Sequence, residues 1–158
     1  MSKATVFHHF RTLDEISVAA LDRFWASLLT LDAAGTTSAR GYLEGLAKQL
    51  GSVAGKRKIL LYAHSVFLVK AMFNPSLRKL LVSVSAHMHQ VTMRELSQRL
   101  SNDLSREEIE TATRMVEMIL DGMMINTALN HNTKALKAAT RAWNRFLDIL
   151  LRDLERAG

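Results

Sequence analysis

The chain has 158 residues, a single proline, no cysteine and a net charge of +6. That length suits one or two small domains with a sizeable core. The lack of thiols excludes a disulfide framework, a zinc–thiolate site and thiolate chemistry, and it fits a cytoplasmic location. Hydrophobic residues make up 48% of the chain, but no apolar run approaches bilayer-spanning length and the N-terminus has no signal-peptide features, so no membrane partner is expected.

Seven glycines and Pro75 leave few breaks, and no useful length of sequence alternates with a strand period. The expected fold class is therefore all-α. The first element is a short helix opening at Ser2, a plausible N-cap, with Val6 and Phe10 four apart on one face and Phe7 beside them. Thr12 and Glu15 then have the spacing of a capping box. The helix they start runs to about Asp32, with Leu13, Ile16, Ala20, Phe24 and Leu28 as its stripe. The loop 32–38 follows, and the domain boundary is placed there, giving units 1–34 and 35–158.

A helix over about 39–54 carries Leu43, Leu46, Leu50 and Val53 on one face. The segment Gly51-Ser-Val-Ala-Gly55-Lys56 is not a phosphate loop, because Leu50 and Arg57 stand where Gly and Ser or Thr are needed. Residues 59–73 are apolar nearly all round, the pattern of a helix buried inside its domain. Asn74 and Pro75 read as N-cap and first helical residue of a long helix to about Leu100. Ser105 and Glu108 form a second capping box. The last two helices cover about 106–129 and 133–156, and the short turn between them makes them antiparallel neighbours. Their stripes are Ile109, Ala112, Val116, Ile119, Met123 and Asn126, and Leu136, Thr140, Trp143, Leu147, Leu150 and Leu154. Met115, Met118, Met124, Phe146, Ile149 and Leu151 remain as surplus apolar surface, which points to a partner.

Ser2-Lys3-Ala4-Thr5-Val6-Phe7-His8-His9-Phe10, followed by a capped amphipathic helix, resembles the recognition helix and the next helix of TetR-family transcriptional repressors. The resemblance implies a DNA-binding regulator, a helix-turn-helix remnant and a helical effector-binding and dimerisation domain. By that resemblance Thr5, Phe7 and His9 touch the DNA backbone and Lys3 lies near the base-reading positions. Ser2 and His8 are also in reach of phosphates or base edges. The chain departs from the family at Phe7, where many members have Tyr, and at Leu13, where many have Lys. Two further helices precede this motif in the family. The resemblance implies that Met1 is an internal methionine and that the natural start lies roughly 35 to 45 residues upstream, the family's usual extra length before this motif. A single terminal helix is marginal without packing, so the 158-residue chain alone is expected to bind an operator weakly.

The same resemblance implies an effector site between the helix after the recognition helix and those over 59–100. Trp25, Tyr62, His64, Phe67, Met72, Phe73, His87, Met88 and Met123 are its candidate lining. Charge argues for the effector's class. Residues 36–104 hold ten basic and only three acidic side chains, Glu44, Glu95 and Asp103. A cation would need buried carboxylates, so the effector is expected to be apolar or amphipathic and neutral or anionic. A homodimer is expected through the last two helices, with Met115, Ile119, Gly122, Trp143, Phe146 and Leu150 at the contact. His8 with His9, and His87 with His89, diverge on a helix, and no Glu-x-x-His or His-Glu-x-x-His occurs. No metal site, cofactor or catalytic constellation is read, and the chain is not taken for an enzyme. The alternative to a regulator is a helical dimerisation or ligand-binding module with no DNA binding of its own.

Overall fold

The computed structural model describes residues 37–56, 58–130 and 133–158, together with residues 12, 15, 16, 18 and 19; side chains at 50–64, 128 and 133 are outside that description. The DNA-facing set Ser2, Lys3, Thr5, Phe7, His8 and His9 lies outside the described residues, as do Trp25 and the boundary after residue 34. The Thr12 hydroxyl accepts from the Glu15 amide at 3.1 Å, which is the N-cap half of the expected box.

Five helices follow in order among the described residues, with no strand: α1 (Ala39–Lys56), α2 (Lys58–Phe73), α3 (Pro75–Ser97), α4 (Arg106–Leu129) and α5 (Thr133–Ala157). Side chains set their starts. The Ser38 hydroxyl accepts from the Gly41 amide at 3.1 Å to open α1. Asn74 accepts from the amides of Ser76 and Leu77 at 3.0 and 3.2 Å, and Pro75 needs no donor where it stands. At α4 the box is complete: the Glu108 amide donates to Ser105 Oγ at 3.2 Å and the Ser105 amide donates to Glu108 Oε2 at 2.7 Å. The hydroxyl and amide of Ser105 hold the Glu108 carboxyl below its ordinary range. α3 stops at Ser97 rather than near Leu100, because the Arg99 amide turns to the Leu96 carbonyl in a tightened last turn.

α1 packs against all four other helices, α2 also against α3 and α4, and α4 against both α3 and α5. The main core lies among α1, α4, α5 and the C-terminal end of α3. Leu43, Val116, Trp143, Leu147 and Leu96 are its most enclosed side chains. A polar latch crosses it: buried Tyr42 hydrogen-bonds Thr92, and the Arg99 guanidinium lies 5.2 Å from the Tyr42 ring centroid and 2.7 Å from Glu95 Oε2. Burial, above all, raises the Tyr42 hydroxyl pKa. Arg40 on α1 pairs with Asp148 on α5 at the surface.

Two expectations change here. Residues 59–73 are not enclosed on all sides: Phe67 and Ala71 are buried, whereas Val66, Val69, Met72 and Phe73 face solvent. Apolar character round a whole helix does not by itself supply neighbours for every face. On α4 the buried stripe continues through Met124, while Asn126 is exposed. The helix rotates its inner face toward Met124 as it leaves the core.

Candidate functional site

The seam between α3 and α4 is where chemistry-bearing side chains meet. His89 Nδ1 lies 3.2 and 3.1 Å from the two carboxylate oxygens of Glu117, and both side chains are largely covered. A carboxylate accepts only, so the proton of this contact resides on Nδ1. Asp121 sits one turn further along α4. Burial first, and then the Glu117 charge, raises its carboxyl pKa although the residue keeps an exposed edge. An acid raised by folding contributes stability that is full below its unfolded pKa and is lost as pH rises through the folded value. Asp121→Asn is therefore expected to raise the melting temperature at neutral pH and to flatten the decline between acidic and neutral pH. A lower melting temperature for the variant at neutral pH would contradict this account of the seam.

The described candidate effector residues differ in exposure. Phe67 is buried on α2. Met88 is half-buried on α3, and Met123 on α4 is half-buried against the main core. Met72, Phe73 and His87 are exposed, so they do not wall an enclosed site. The reason for Met72 and Phe73 is local: Asn74 and Pro75 end α2 abruptly, leaving its last turn at the corner of the α2–α3 hairpin. His87 is two residues from His89, and that step turns it off the seam. The side chains of Tyr62 and His64 lie outside the described residues.

The candidate dimer residues divide into two groups. Trp143 and Leu150 belong to the chain's own core, at 1% and 6% exposure, and cannot form a partner surface. Ile119 and Phe146 are half-buried against that core, with the Phe146 ring centroid 5.6 Å from that of Trp143. Met115 and Gly122 do face outward. They belong to a stripe not read from the sequence: Met115, Met118, Gly122, Ile125 and Leu129, in alternating steps of three and four along α4. All are exposed, and a Cβ added at Gly122 meets nothing within 4 Å. The signal was present in the sequence as a second apolar seam on the same helix. Ile149 on α5 is also exposed.

Among the described residues no group of three or more His, Cys, Asp or Glu is placed to hold a metal ion, and no helix is long and apolar enough to cross a membrane. Comparison of the chain with protein-family models, curated proteins and solved structures finds no match.

Proposed function

We propose that the chain is a DNA-binding transcriptional regulator of the TetR kind, a repressor that acts as a homodimer and is controlled by a small effector. The observation that carries this reading is the outward apolar stripe on α4. It sits on a helix already packed against α5, and an outward apolar stripe suits the two-fold contact that a dimeric reader of DNA needs. The opening segment 2–10, which resembles a recognition helix, supports the DNA-facing part of the reading. Paired copies present two such helices to successive major grooves. An effector that binds one spacing of them better than the other shifts the pair toward that spacing.

The effector is a neutral or anionic molecule with an apolar body, in keeping with the shortage of carboxylates over 36–104. The seam carboxylates Glu117 and Asp121 do not change this, because Glu117 is engaged by His89 and Asp121 keeps an edge in solvent.

The test is a mobility shift with DNA flanking the gene, using this chain and its longest in-frame form. The chain alone is expected to bind weakly and the longer form specifically, with salt-sensitive binding that is reduced in Lys3→Ala and Thr5→Ala and reversed by a hydrophobic anion that also raises the melting temperature. Absence of specific binding by both forms would leave the dimerising ligand module as the reading.

A further inference from the structure

From residue 45 to residue 94 the chain runs fifty residues without an Asp or Glu, while carrying eight Lys or Arg. That stretch holds the whole of α2 and most of α3. The same hairpin exposes Val66, Val69, Met72, Phe73 and Val82, with Phe73 at 82% the most exposed large apolar side chain among the described residues. Phe73 and Met72 stand at the corner between the helices. Arg78 lies against that corner, donating to the carbonyls of Ala71 and Met72 at 3.3 and 2.6 Å, and Lys79 is exposed beside it in sequence.

We propose that the α2–α3 corner docks on the surface of an anionic lipid bilayer. Phe73 and Met72 enter the headgroup layer, while Arg78 and Lys79 meet lipid phosphate. Charge and apolar exposure select this partner together. Nucleic acid would take the cations, but it gives no reason for a protruding phenylalanine. A protein helix docks into a groove, whereas a side chain as exposed as Phe73 projects from a corner. Apolar side chains flanked by cations, on a hairpin whose own residues from 45 to 94 carry no carboxylate, are what an interfacial contact needs. Spanning length, which no helix among the described residues has, is irrelevant to such a contact. The proposal does not depend on the regulator reading.

The experiment is flotation of the full chain with vesicles of phosphatidylcholine alone and of phosphatidylcholine mixed with phosphatidylglycerol. Binding to the mixed vesicles only, weakened by salt, is the expected result. Phe73→Ser is expected to weaken it by about tenfold or more, through loss of apolar burial. Lys79→Ala is expected to weaken it by about fivefold, one cation's share at an anionic surface. Both positions are exposed, so far-UV circular dichroism and melting temperature should not change. No binding to mixed vesicles, or binding indifferent to Phe73→Ser, overturns the proposal. So does Phe73→Ser changing the oligomeric state without lipid, which would make the corner a protein contact.

Discussion

Replacing Trp143 with Ala is expected to cost about 3–5 kcal/mol of folding stability, the usual range for truncating a large buried aromatic. Trp143 is enclosed at 1% exposure, lies with its ring tilted 43° to that of Phe146 and belongs to the cluster with Leu43, Val116 and Leu147. Removing the indole leaves a void bordered by α1, α4 and α5 together. Trp143→Phe should behave differently. The Trp143 Nε1 proton is buried with no acceptor in reach, and an unsatisfied buried donor itself costs about 1–3 kcal/mol. Phe keeps much of the apolar contact and removes that donor, so its loss should be under half that of Ala. Urea denaturation followed by far-UV circular dichroism measures both, at one fixed protomer concentration because the proposed pairing would add to apparent stability. A Trp143→Ala variant within about 1 kcal/mol of the parent, the range of surface substitutions, would return Trp143 to the partner-facing role that its stripe on α5 suggested.

That misplacement shows what could be read from the chain beforehand. Helix limits were legible because they are local: Asn74 with Pro75, and Ser105 with Glu108, fix chain direction within one turn. The stripe Trp143, Leu147, Leu150, Leu154 was legible as well, since a 3.6-residue period marks a face. Which neighbour receives the face is not local. A stripe reads the same whether it meets α1 in its own chain or α4 of another copy. The all-round apolar helix α2 misled for the same reason, with Val66 and Val69 left outside. The contacts that cross the fold were out of reach: His89 meets Glu117 across 28 positions, and Tyr42 meets Thr92 only because α1 and α3 pack together.

Gly122→Leu is expected to strengthen the fold of the single chain while separating the proposed dimer. Nothing in the chain lies within 4 Å of an added Cβ at Gly122, and its backbone φ is not positive, so a side chain enters without strain. A glycine inside an exposed helix costs about 0.5–1 kcal/mol relative to Ala, and leucine recovers most of that. In the proposed pair, Gly122 is the middle member of Met115, Met118, Gly122, Ile125 and Leu129, and its lack of a side chain permits close helix approach. A leucine there holds them apart. Ile125→Asp acts through charge instead: it sets an unpaired carboxylate against an apolar face, costing on the order of 3 kcal/mol, or over about 100-fold in dissociation constant. An Asp at Leu150 would not serve, because that side chain is core and the variant would unfold rather than dissociate. Sedimentation velocity across a concentration series gives the answer, with thermal melting confirming that each variant is folded. Monomers with an intact or raised melting temperature in dilute solution are the expected result for Gly122→Leu. Dimers that persist in both variants would remove α4 from the contact and, with it, the observation on which the regulator reading rests.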